Sequence, residues 1–352
     1  MKDIFSKRLL SARKQAGLSQ DQLVELIGGV VKKTSIARYE RGEMMPELAV
    51  LDVLAKSLGM KPEDFFRPVL IELDMETINL NSQLGARREE KIRQLIRSFL
   101  ERYLELEQLT GTINTYNNPF GNNPLLSTDN AESMAAAFTL KWNNGNPFYR
   151  NVLQLLESKG VYIILPEEDP VIDSLSVTVN HSTGLPVVLL NRRLDILNMR
   201  KAALEEMARL MFSFPEGMSQ SETHRLCTQF ATAVLLPNES LVQELGLNRT
   251  RVSITELEIL RDKYGLPLQS VLQRAFHTEI ISRYTYFKLM EEVKEKETET
   301  ESETDMQENK AGQRIELPVR FMQLLQKALS EELISPGKAT ELSRTGNFHI
   351  IH

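Results

Sequence analysis

A mainly helical chain carrying one small α+β domain is what the sequence predicts, on three observations. The first sixty-six residues break into short runs with helical apolar spacing, separated by glycines. Residues 86–110 keep one helical period without interruption. Between Gly160 and Asn191 three short apolar or alternating runs, VYIILP, SLSVTVN and LPVVLLN, read as strands with helical runs on either side. At 352 residues the chain is long enough for two or three domains with full cores. Hydrophobic residues at 41% and charged residues at 26% are ordinary for a globular protein. The single cysteine, Cys227, excludes an intramolecular disulfide and any cysteine-cluster metal site. No run approaches the length of a membrane span, and the start MKDIFSKRLLSARKQ lacks a signal-peptide core, so a cytoplasmic protein is expected.

Charge separates the two ends. The formal net charge is −6, yet residues 1–68 hold 12 Lys and Arg against 9 Asp and Glu, leaving −9 for the remainder. A basic head on an acidic body is the division expected of a nucleic-acid module joined to something else.

Residues 4–16 place Phe5, Leu9, Leu10 and Ala12 at helical spacing up to Gly17. Ser19 with Gln22 forms a capping box for a second helix through Leu23, Leu26 and Ile27, stopped by Gly28-Gly29. The third run, KKTSIARYERGE, turns Ile36 and Tyr39 inward and Lys32, Lys33, Ser35 and Arg38 outward. Pro46 suits the first turn of a fourth helix, and Pro62 to Phe66 make a last short turn. Two short helices around a glycine turn, the second basic, form a helix-turn-helix. LSQDQLVELIG and TSIARYERGE resemble the XRE, or lambda-repressor-like, DNA-binding family, which implies a five-helix DNA-binding domain; the GGVVKKTSI turn is one residue longer than usual. The third helix would then lie in the major groove. Lys33, Thr34, Ser35 and Arg38 are the candidates for base edges, and Gln20, Lys32 and Arg41 for phosphates.

The helix 86–110 carries Ile92, Leu95, Ile96, Phe99, Leu100, Tyr103, Leu104 and Leu106 on one broad face; it serves either dimerisation or packing within its own chain. Residues 112–128, with five Asn and two Pro, read as a loop. Helices are expected at AESMAAAFTLKW, NPFYRNVLQLLESKG, RKAALEEMARLMFSF and ETHRLCTQFATAVLLP, then over 253–263 and 267–289.

From about Ala131 to Met290 this order resembles the ImmA/IrrE metallopeptidase-like domain, through NPFYRNVLQLLESKGVYI, PVVLLN, the helix Ala203–Phe212, QFATAVLLP and RDKYGLPLQSVLQRA. That family carries H-E-x-x-H, two histidines one helical turn apart on zinc and a glutamate that activates its water. The matching pentad here is Glu205-Glu206-Met207-Ala208-Arg209, and Leu226 stands where an acidic third ligand belongs. Arginine is always protonated and leucine has no lone pair, so the resemblance implies a domain without metal, cofactor or catalysis. Glu205 and Arg209, four apart, are spaced for an ion pair. Among His181, His224, His277, His349 and His352 no two share metal-ligand spacing on a helix; His224 with Cys227 at i+3 is the one combination, a weak two-ligand site against which Cys227 reads as a small core residue beside a surface histidine.

Residues 291–310 hold 9 acidic and 3 basic residues and read as a disordered, self-repelling linker, helical at most in its first turns. Two short helices follow, the second from Ser335-Pro336. The expected division is therefore 1–68 DNA-binding domain, 69–128 connector, 129–290 ImmA/IrrE-like domain, 291–312 acidic linker and 313–352 helical end. The expected function is a bacterial or phage-derived transcription regulator, a homodimer on a duplex operator, whose body senses a small molecule or grips a protein. A zinc endopeptidase acting on a repressor partner, and an antitoxin-like or anti-repressor module, are the rivals.

Overall fold

The computed structural model describes residues 2–66, 85–121, 123–143, 151–166, 172–180, 184–304 and 316–344. The apolar stretch VLIELDM, the NPFYR lead-in and His181, His349 and His352 lie outside them. The chain divides into two compact units: Met1–Ile113 with Thr178–Leu185 and Phe321–His352, and Asn114–Val177 with Pro186–Arg320. Fifteen α-helices and one three-stranded sheet occur among the described residues.

The first unit begins with α1 (Lys2–Gln15), α2 (Gln20–Leu26), α3 (Lys33–Glu40), α4 (Leu48–Ser57) and a 3-10 turn over Pro62–Phe66. The Ser19 capping box forms as expected, its hydroxyl accepting from Gln22 N–H. Pro46 stands one residue ahead of the α4 N-cap, Glu47, rather than in the first turn. Phe5, Leu9, Leu23, Ile36, Leu54 and Phe65 close the core. Phe5 meets Tyr39 edge-on at 6.3 Å and Phe65 at 5.5 Å, so one ring joins the first, third and last elements.

The long helix α5 (Ala86–Thr110) forms as predicted and ends on Gly111 in the left-handed region. Its wide apolar stripe is covered within the chain. Toward α1 it offers Glu101 to Arg8 at 2.5 Å, Gln94 to Ser11 at 2.6 Å and Glu90 to Lys14 at 3.0 Å. Against Phe99 and Tyr103 lies Phe321 of α14 (Arg320–Ser330), ring centroids 6.1 and 5.6 Å away. Lys338, on α15 (Pro336–Arg344), pairs with Glu105 at 3.3 Å, and Lys327 donates to the Thr110 carbonyl at 3.1 Å.

The second unit contains α6 (Thr128–Asn143), α7 (Val152–Ser158), β1 (Tyr162–Ile164), the greater part of β2 (Ser174–Val179) and β3 (Leu185–Leu190), α8 (Ile196–Met211) and α9 (Gln220–Leu235). The strand order is β1-β3-β2, with β1 parallel to β3 in the register Tyr162–Val187 to Ile164–Leu189. Every residue of β3 is buried, as a central strand covered on both faces must be. The Asn-rich loop is held by its side chains: Asn114 donates to the Glu157 carbonyl and Asn118 to the Met211 carbonyl, each at 2.8 Å. Both carbonyls lie in the last turns of α7 and α8, where the helix itself supplies no i+4 donor. Gly160, at φ +87°, is required where this loop passes, since a Cβ would stand 2.6 Å from the Tyr116 nitrogen.

Then follow α10 (Asn238–Leu245), α11 (Ile254–Tyr264), α12 (Leu268–His277) and α13 (Arg283–Thr304). The sequence reading missed α10 and ran α12 into α13. The break at 278–282 carries no glycine or proline; Glu279 takes φ 58° and Arg249 N–H bonds the Ile280 carbonyl at 2.7 Å. The linker expectation is also corrected. Residues 291–304 continue α13, because Glu and Lys are good helix formers and the Lys288–Glu292 pair has i,i+4 spacing; residues 305–315 lie outside the described set.

Two buried carboxylates anchor the segment that begins at residue 316. Glu316 takes Arg200 at 2.5 Å and Leu153 N–H at 2.8 Å. Glu157 accepts N–H from Val319 at 2.8 Å and Arg320 at 3.2 Å, while its other oxygen has no partner. Burial pushes the Glu157 carboxyl up to about 7 against those two bonds. The folded pKa exceeds the unfolded value, so the protonated group favours folding. That contribution is present below the ordinary carboxylate range and is lost as pH rises through about 7. Glu157→Gln keeps the acceptor and removes the ionisation. Its stability advantage should grow from near zero at acid pH to about 3 kcal/mol in alkaline buffer, read by chemical denaturation across pH.

Candidate nucleic-acid interface

The helix-turn-helix is locked by one polar cluster. Arg13 of α1 forks onto Glu40 at 2.5 and 3.0 Å and also donates to the Leu18 carbonyl at 2.7 Å. Gln20, the first residue of α2, donates to the same Glu40 carboxylate at 2.7 Å. One carboxylate at the end of α3 thus sets the angle between all three helices. A bidentate arginine pair is directional enough to fix that angle. Sequence reading missed Arg13 and Glu40; the available signal was Glu40 one helical turn beyond the inward-facing Ile36.

Around this lock the predicted DNA residues separate. Lys32, Lys33, Thr34, Arg38 and Arg41 are exposed, whereas Ser35 and Gln20 are half-buried. Gln20, read as a phosphate ligand, donates one amide N–H to Glu40. Lys33 pairs with Asp21 at 2.6 Å. Glu43 holds Arg41 in a fork at 2.6 and 3.2 Å and lies 3.4 Å from Arg38. The hydrogen bonds from Arg41 hold the Glu43 carboxyl below its ordinary range. Lys32, the N-cap of α3, makes no side-chain cap bond and no acid lies in the first turn, so the positive helix end is uncovered. Leu26 and Val30, about half exposed, border the same turn.

In the second unit the pentad on α8 is internally satisfied. Glu205 accepts from Thr228 of α9 at 2.6 Å and pairs with Lys201 at 3.2 Å. Both Glu206 oxygens are taken by β2 hydroxyls, Ser174 at 2.7 Å and Ser176 at 2.6 Å, two residues apart on one strand face. Arg209 pairs with Glu206 at 3.4 Å and donates to His224 Nδ1 at 3.1 Å. The expected Glu205–Arg209 pair is therefore not the one formed. Lys201 occupies the Glu205 side, and Arg209 turns to the residue three before it. Leu226 is buried, and Cys227 is fully buried, as the core reading expects, its thiol pushed up to about 12 by burial. No group of three His, Cys, Asp or Glu with metal-holding geometry occurs among the described residues.

Two further features were not foreseen. Arg274, 1% exposed, forks onto Glu132 at 2.6 and 3.1 Å and bonds Asn238 at 2.7 Å; Gln229 joins Glu132 at 2.7 Å. A cleft of about 550 Å³, lined by residues including Arg249, Phe276, Ile280, Arg283 and Tyr284, lies beside the break between α12 and α13.

Residues 9–65 match the family model described as Helix-turn-helix. The matched stretch covers α2, α3, the turn between them and the whole Arg13–Glu40–Gln20 lock, so the N-terminal segment is a helix-turn-helix of the XRE type and the chain is a DNA-binding regulator. No curated protein matches the chain. No helix among the described residues is long and apolar enough to cross a membrane.

Proposed function

We propose that the protein is a sequence-specific transcription regulator that binds a near-palindromic operator as a homodimer, with half-sites about 34 Å apart. The N-terminal end of α3 enters the major groove. The observation that carries this reading is the exposed set Lys32, Lys33, Thr34 and Arg38 on a helix held rigid from behind by Arg13 and Glu40. Phosphate attraction supplies salt-dependent affinity and the α3 side chains supply sequence preference. The body is a retired ImmA/IrrE-like metallopeptidase domain that senses an effector or a protein partner. Its support is chemical: Arg209 cannot ligate a cation, and Leu226 has no donor atom. Serine and threonine hydroxyls together with Lys201 and Arg209 already engage the two glutamates.

Selection from a random duplex pool, followed by footprinting, tests the first part. A recovered inverted repeat protected in both halves supports it, and an unenriched pool refutes it. Metal content and calorimetric zinc titration test the second. One tightly held zinc per chain would return the endopeptidase reading to first place.

A further inference from the structure

We propose that Glu43 is an internal competitor for DNA phosphate that sets the electrostatic part of the protein's affinity for DNA. This rests on the DNA-binding reading and adds a residue to it. The carboxylate follows Gly42 directly after α3 and stands within ion-pair distance of two exposed guanidiniums of the DNA-facing surface, forking onto Arg41 at 2.6 and 3.2 Å and lying 3.4 Å from Arg38. All three side chains are about half exposed, so the cluster belongs to the surface, not the core. Glu43 takes the Nε and Nη2 edge of Arg41, one of the two forked edges the guanidinium can offer to a phosphate. Guanidinium binds carboxylate and phosphate with the same fork, and the two anions compete for one position. A duplex approaching this face must either displace Glu43 from that edge of Arg41 or hold a carboxylate close to its own phosphates.

The cost is independent of base sequence, because phosphate contacts carry no sequence information. Glu43 therefore lowers affinity for operator and random DNA by a common factor. At cellular salt this restrains the protein from accumulating on non-specific sites, where binding is almost wholly electrostatic.

Glu43→Gln tests this directly in the full-length chain, with affinity for the selected operator and for a random-sequence duplex measured over a series of salt concentrations. The glutamine is close in shape, and the Glu43 backbone bond to the Arg38 carbonyl is unaffected, so the thermal midpoint should not move. The expected result is an affinity gain of about fivefold at low salt on both duplexes. The slope of log affinity against log salt should steepen by about 0.9 for each additional phosphate neutralised, so that the gain narrows as salt rises. Glu43→Lys should move both quantities further in the same direction. Unchanged affinity and slope would overturn the proposal. So would a change confined to the operator, which would make Glu43 a positioning residue for Arg38 at a base edge. Failure of the unmodified protein to bind either duplex would instead defeat the DNA-binding reading itself.

Discussion

The Lys33→Ala, Arg38→Ala double variant should lose operator affinity by about two to three orders of magnitude, taking about 1–3 kcal/mol for each specific base contact. Both side chains are exposed, and their partners, Asp21 and Glu43, are exposed acids. Such pairs contribute little to stability, so the unfolding free energy should change by no more than a neutral surface substitution does, about 0.5 kcal/mol. Affinity for random duplex should fall far less than affinity for the operator. An equal fall on both would reassign Lys33 and Arg38 to phosphates, and unchanged operator affinity would remove α3 as the reading helix. Arg41→Ala provides the contrast. As a phosphate ligand it should weaken both duplexes alike, and in the Glu43→Gln background, where the carboxylate no longer competes, it should flatten the salt slope by about one.

Arg274 carries the largest expected effect on stability. Its guanidinium is buried against Glu132 and Asn238, and its Nε has no partner. Arg274→Met leaves the Glu132 carboxylate facing the interior without a cation and should destabilise the protein by about 3–5 kcal/mol in urea denaturation. Glu132 is about one-fifth exposed, which places the expectation toward the lower end. Adding Glu132→Leu removes the orphaned charge, and the double variant should recover most of the loss. Additive losses in the two single variants would mean that the pair is not coupled and that packing alone accounts for the burial of Arg274.

Most helices were legible because each carries its own local signal. The Ser19 capping box, the glycine stops at Gly17 and Gly160, and the unbroken period of α5 are properties of a few neighbouring residues, and the structure places these elements as expected. Elements without such a signal were missed. The helix α10 opens at Pro237 with no side-chain cap, and the break between α12 and α13 contains no helix-breaking residue at all. There a hydrogen bond from Arg249, distant in sequence, holds Ile280 outside the helix.

Sites divide along the same line. Residue order was enough to establish that a basic helix follows a tight turn near the N-terminus, and which residue types that helix and the α8 pentad Glu205–Arg209 present. These are matters of residue identity and helical period, which a linear sequence contains. The partner that each charge takes was settled by packing instead. Gln20 donates one amide N–H to Glu40; Arg209 engages Glu206 and His224 rather than Glu205; Glu43 takes Arg41. A helix offers every charged side chain several neighbours at three and four residues, and adjoining elements offer more. Which of them lies within about 3 Å depends on how those elements pack, and that is set by burial of apolar surface over the whole unit.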